Sequence, residues 1–126
     1  MTVSHAGDQP IELSVAELQC DAVAGVAVCG EVEIATAAAL TEAVQEAIRC
    51  SSGPFVVDLG GVDFLDSTGL HCLVRARALL GREDCALAIL RPRDNVRRVL
   101  AIAGIDELVP IYESYDELAR ALRPPG

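Results

Sequence analysis

The sequence predicts an α/β domain: a mixed β-sheet of about five strands, an opening hairpin followed by parallel strands, covered by about four helices. Three observations carry the prediction. Two β-leaning runs open the chain, at Ile11–Val15 with clear period-two alternation and at Ala22–Cys29. From Thr36 onward, short apolar runs take turns with segments whose apolar residues recur at helical spacing. Finally, 126 residues that are 52% hydrophobic but only 3% aromatic suit one domain with a core of Val, Leu, Ile and Ala.

Residues 1–10 are polar and end in Pro10, which predicts a flexible N-terminal tail ahead of a domain over residues 11–123. Cys20 and Asp21, among small residues, make the turn of the hairpin, and Gly30-Glu31 breaks its second strand. Leu40, Val44, Ala47 and Ile48 share one helix face, with Glu42, Gln45, Glu46 and Arg49 outward. This first helix has Thr36 as its N-cap and Ser51-Ser52-Gly53-Pro54 as its stop. Phe55 to Leu59 lacks alternation, as a strand buried on both faces does. Gly60-Gly61 reads as a turn after it.

A second helix spans Leu70 to Leu80, with Leu70, Leu73, Val74 and Leu80 apolar and Gly81 as its C-cap. Cys85 to Leu90 is the next buried strand. Pro92 fits the first turn of a third helix that runs through Val96, Val99 and Leu100 to Ala103 and closes at Gly104. Leu108 to Tyr112 is a short last strand. Ser114-Tyr115-Asp116-Glu117 is a capping box that opens a final helix through Leu118 and Leu122. Strand–helix–strand crossovers are right-handed and make the later strands parallel.

A net charge of -9 argues against nucleic acid and against an anionic membrane surface as partners, since both attract basic proteins. All basic residues are Arg. No apolar run reaches the roughly 18 residues of a spanning helix. The N-terminus has no basic segment followed by an apolar one. A cytoplasmic protein is the expectation. The cysteines, Cys20, Cys29, Cys50, Cys72 and Cys85, include no C-x-x-C pair and read as reduced, mostly buried small hydrophobes. Cys72 stands nearest the feature that matters most.

That feature is Asp66-Ser67-Thr68-Gly69, at the junction where the Phe55 strand gives way to the second helix. Free N–H groups and the positive dipole end of a helix make such a junction able to hold or accept a phosphate. Ser67 as a plain N-cap accounts for one hydroxyl. Two hydroxyls flanked by Asp66 and Gly69 fit a functional edge equally well, and on the residues alone both readings stand.

A hydrolase elbow needs Gly two places on either side of Ser; Gly69 fits and Leu65 does not. His71 lies four residues after Ser67, yet no orienting acid or second loop completes a dyad, so no catalytic residue is assigned. No ligand cluster suggests a metal, and no cofactor is expected. Gly30-Glu31-Val32-Glu33 reads either as a solvated strand end or as a carboxylate placed on the same edge as Ser67. Arg91, Arg93, Arg97 and Arg98 form a basic patch without a glycine-rich phosphate cradle.

The run from Asp58-Leu59 through Val62 and Phe64-Leu65-Asp66-Ser67-Thr68-Gly69-Leu70 resembles the signature of STAS domains, in particular the bacterial anti-sigma factor antagonists. Gly30-Glu31-Val32-Glu33 is similar to the family's Gly-Glu-Leu-Asp segment. Arg91-Pro92 through Ala103-Gly104-Ile105 resembles its third helix. Val109-Pro110-Ile111-Tyr112 with the Ser114-to-Leu122 helix resembles its ending.

The resemblance implies a single STAS domain that binds an anti-sigma factor with serine kinase activity and thereby frees a sigma factor. It implies phosphorylation of Ser67, with Thr68 as fallback acceptor, which switches binding off, and a protein phosphatase that resets it. The partner surface would include Glu33, Asp66, Ser67, Thr68, Gly69 and His71. Two departures stand out: Glu33 occupies a position usually held by Asp, and His71 one often held by Gly. The other readings are a STAS subunit of a transporter or stress assembly without kinase control, and a small Ser-dependent hydrolase. Monomer and weak dimer are both open.

Overall fold

The computed structural model describes residues 2–4, 12–17, 24–33, 36–49, 54–81 and 86–122. Six strands lie side by side in the order in which the chain makes them. They are β1 (Thr2–Ser4), β2 (Glu12–Glu17), β3 (Ala24–Val32), β4 (Phe55–Leu65), β5 (Leu87–Leu90) and β6 (Ile111–Tyr112). β1, β2 and β3 pair antiparallel, while β3 to β6 run parallel. The helices are α1 (Ala37–Arg49), α2 (Ser67–Gly81), α3 (Asp94–Ile102), the single-turn α4 (Ile105–Leu108) and α5 (Tyr115–Leu122).

The strictly sequential strand order sends every right-handed crossover over the same side. The main core accordingly lies between one sheet face and α1 to α4. It unites Phe55, Val57 and Leu59 of β4 with Leu40 and Val44 of α1, Cys72, Leu73 and Ala76 of α2, Val96 and Leu100 of α3, and Ile105. The alternate residues of the strands face the other way, where Val56, Ala88 and Leu90 pack under Leu118 of α5. The unalternating apolar run of β4 is thus explained, because both faces are covered. Leu118 is 1% exposed, and burial of one leucine contributes roughly 1.5–3 kcal/mol.

The mixed α/β architecture is as expected, with all five predicted strands present and several boundaries moved. A sixth strand forms within the predicted tail, where Thr2–Ser4 pairs with Glu12–Ser14; edge pairing uses backbone groups and needs no side-chain signal. β3 does not stop at Gly30, and Gly60-Gly61 is no turn. Both glycine segments lie inside strands. From the Ala27–Asp58 pair to the Cys29–Gly61 pair, β4 advances by one residue more than β3, and it does so again between Gly30–Val62 and Glu31–Phe64. These are bulges, and Gly30 accommodates one with φ 113°, a backbone conformation that favours glycine. α2 begins at Ser67 rather than Leu70, and Pro92 precedes α3. The hairpin turn assigned to Cys20-Asp21 and the Ser51–Gly53 stop lie outside the described residues.

β4 runs past the end of β5, since Asp58 is already opposite Leu90. The N-terminus of α3 flanks this overhang. Arg93 Nε donates to the Gly60 carbonyl at 3.0 Å, Asn95 Nδ2 donates to the Asp63 carbonyl at 2.7 Å, and the Arg93 guanidinium pairs with the Asp63 carboxylate. Side chains at the start of α3, Arg93 just before it and Asn95 in its first turn, thereby take up carbonyls of the overhang.

The predicted capping box at α5 forms with its return bond shifted by one residue, from the Ser114 amide to that of Glu113. Ser114 Oγ accepts from the Glu117 amide at 3.1 Å, and Glu117 reaches back to the Glu113 amide at 3.3 Å. Beside it the Arg97 guanidinium donates to Glu113 through both terminal nitrogens. This hydrogen-bonded pairing holds the Glu113 carboxyl below the usual carboxylate range. A lowered folded-state value means the contribution is present above the ordinary carboxylate pKa and lost as pH falls through the folded one. The pair is about half exposed, so Glu113→Gln costs only about 0.5 kcal/mol near neutral pH. Urea unfolding of the two proteins should show that gap closing below about pH 4.

Candidate functional site

β3 and β4 end together. Val32 is paired with Leu65, and the Asp66 amide donates to the Val32 carbonyl at 3.1 Å. Glu33 and Asp66 therefore leave neighbouring parallel strands side by side, on the carboxyl edge where open α/β sheets place their sites. Glu33 and Ser67 are brought to one edge of the sheet, as the sequence reading required.

At the α2 N-terminus the capping role falls to Asp66, not Ser67. Asp66 Oδ1 accepts from the Thr68 amide at 2.9 Å and the Gly69 amide at 3.3 Å, so it takes up two of the orphan donors of the first turn. The same oxygen accepts the Thr68 hydroxyl at 2.5 Å. Thr68 is half-buried and tied to the cap. Ser67 is exposed, and among the described residues no hydrogen bond engages its hydroxyl. Thus the two hydroxyls differ sharply in availability.

Gly69 is buried. A Cβ there would run into Leu65 and Val32, so glycine is what lets the first turn of α2 sit directly on the ends of β3 and β4. It shapes the surface from beneath. His71 is exposed one helical turn beyond Ser67, and Glu33 is half-buried. Phe64, just before the junction, is 47% exposed. Its exposure was not read from the sequence.

Thr36 stands at the predicted N-cap position of α1, and its hydroxyl turns backward. It donates to the Glu31 carbonyl at 2.7 Å and accepts from the Glu33 amide at 3.1 Å, at 0% exposure. The Glu33 carbonyl in turn accepts from the Thr36 and Ala37 amides.

Other candidates resolve into structure. Of the Arg patch, Arg91 pairs with Asp58, Arg93 with Asp63 and Arg97 with Glu113. Cys72 is buried, and burial pushes its thiol up while a hydrogen bond to Thr41 and the charge of Arg75 pull it down. Cys29 is exposed; Cys20, Cys50 and Cys85 lie outside the described residues. Among the described residues no three His, Cys, Asp or Glu side chains gather closely enough to hold a metal ion. No described helix is long and apolar enough to cross a membrane.

The sequence model of the family described as "Mlab, STAS domain" matches residues 4–110. The chain belongs to the STAS family. The resemblance carried by Asp66-Ser67-Thr68-Gly69-Leu70 is thereby borne out. Among curated STAS relatives, the chain is similar to the anti-sigma-F factor antagonist RsfB of Mycobacterium tuberculosis, 26% identical over 114 residues that cover 90% of this chain and 93% of the relative. It is 31% identical over 88 residues to the anti-sigma-B factor antagonist of Staphylococcus aureus, covering 70% and 82% of the two chains. A solved anti-sigma factor antagonist from Mycobacterium paratuberculosis superposes with a TM-score of 0.79 at 31% identity, over 89% of this chain and 95% of that one.

Proposed function

We propose that this STAS protein is a cytoplasmic anti-sigma factor antagonist whose binding is switched by phosphorylation of Ser67. The unphosphorylated form binds an anti-sigma factor that is also a serine kinase, and so releases a sigma factor. The kinase modifies Ser67 and ends the complex, and a protein phosphatase restores it. The similarity to named antagonists supports the partner class.

The observation that carries the switch is the division of labour at the α2 N-terminus. Asp66 satisfies the helix amides and restrains Thr68, which leaves the Ser67 hydroxyl exposed and spare. A residue that only capped the helix would be engaged with it. The helix dipole lets the folded domain tolerate a phosphate at this first position. Glu33, Asp66, Ser67, Thr68 and His71 form the contact surface, with Gly69 setting its shape.

The test is mass spectrometry of the protein after incubation with ATP and each ATP-binding anti-sigma factor of the same organism. A phosphate on Ser67, absent from Ser67→Ala, is the expected result. A phosphate on Thr68 instead would reverse the assignment of the two hydroxyls. Tight binding without any phosphate would make the protein an interaction subunit outside kinase control.

A further inference from the structure

We propose that Thr36 is a positioning residue of the Ser67 edge: its buried hydroxyl locks the Glu31–Glu33 turn onto the Asp66 junction, so that Glu33 and Ser67 meet a partner as one rigid surface. The inference rests on the reading of that edge as the partner-binding site.

Three linked contacts support it. The Thr36 hydroxyl closes a ring around Val32 by donating to the residue before it, at the Glu31 carbonyl, and accepting from the residue after it, at the Glu33 amide. Val32 at the centre of that ring offers its carbonyl to the Asp66 amide. Asp66 then fixes the first turn of α2 and with it Ser67. The path from Thr36 to Ser67 is therefore made of hydrogen bonds between immediate neighbours. Thr36 is fully buried while Glu33 and Ser67 are not. A threonine that merely started α1 would turn its hydroxyl forward to the helix amides. Here the hydroxyl faces the strand end, and its methyl is enclosed with it.

The geometry also separates this role from direct contact. A residue at 0% exposure touches no partner, so any effect on binding passes through the turn it holds. Thr36→Val keeps the shape and deletes the hydroxyl, while Thr36→Ser keeps the hydroxyl and deletes the methyl.

Amide hydrogen exchange followed by NMR on the free protein is the first arm. In Thr36→Val the Glu33 and Asp66 amides should exchange about tenfold faster or more, with core amides such as Leu73 unchanged. In Thr36→Ser both should return to within about twofold of the original protein. The second arm measures affinity for the anti-sigma factor that the original protein binds, where Thr36→Val should lose about tenfold and Thr36→Ser little.

An accelerated Glu33 amide with an unaltered Asp66 amide would break the proposed link. Uniform acceleration that includes Leu73 would reduce Thr36 to a contributor to global stability and overturn the proposal. Unchanged affinity in Thr36→Val would overturn it as well. If the original protein binds no anti-sigma factor, the proposed function fails, and the exchange arm alone still decides whether Thr36 couples the two turns.

Discussion

Under the proposed function, Ser67→Asp should lower affinity for the anti-sigma factor by about two to three orders of magnitude, while Ser67→Ala should leave it nearly unchanged. Phosphoserine carries about −1.5 to −2 charges at neutral pH. On this edge it would lie beside Asp66, whose carboxylate already accepts two amides of that first turn and a hydroxyl, so the new charge meets a like charge there and finds those donors already engaged. An interface closed over a neutral hydroxyl buries the new charge without a partner, at a cost of about 3–5 kcal/mol. Each 1.4 kcal/mol is about tenfold in affinity. Isothermal titration of the three proteins against one anti-sigma factor reads the effect directly. Equal affinities for Ser67→Asp and the original protein would show that the contact lies elsewhere. The variants should keep the same melting temperature within a few degrees, because Ser67 is exposed at a helix end that favours negative charge.

The largest expected effect on stability belongs to Asp58, far from that edge in function. Its side chain is 3% exposed on the α5 side of the sheet. Oδ1 accepts from the Gly60 amide at 2.8 Å, and Oδ2 accepts from Arg91 Nη2 at 3.0 Å and from the Tyr115 hydroxyl at 2.9 Å. The Arg91 guanidinium also sits 5.5 Å from the Tyr115 ring centroid, a cation–π distance. Arg91 keeps this place with φ at 53°, a conformation disfavoured for a residue with a side chain.

Asp58→Ala strands all three donors at once. Arg91 is 48% exposed and recovers some hydration, so the loss is about 2–4 kcal/mol rather than the full cost of a broken buried pair. Tyr115→Phe removes one bond and costs about 1 kcal/mol. Urea unfolding near neutral pH would measure both, and an Asp58→Ala loss below that of Tyr115→Phe would show that the cluster is not centred on the carboxylate.

The difference between these two regions explains what the sequence could disclose. Asp66-Ser67-Thr68-Gly69 is contiguous, so its chemistry is written in adjacent letters, and the alternation of strands and helices places it on a strand end. The Asp58–Arg91–Tyr115 cluster joins positions 33 and 57 residues apart, and no local pattern announces it. Gly60-Gly61 misled because a glycine pair is a turn signal by itself. Whether it becomes a bulge depends on β3 opposite. Thr36 was legible as the start of α1, but the direction of its hydroxyl depends on the strand end behind it. Ser67 reads as the cap because serine caps helices routinely, but an adjacent aspartate can do the same, and only geometry chooses between them.

The order of the strands has a consequence for how the molecule comes into being. Each new strand docks beside the one made just before it, so during synthesis the sheet can widen from β1 onward without waiting for a distant segment. The α1-to-α4 side is complete once β6 emerges. The other side is not, since Val56, Ala88 and Leu90 stay bare until Leu118 arrives. α5 is thus the element that ends the nascent chain's exposure of this apolar sheet face.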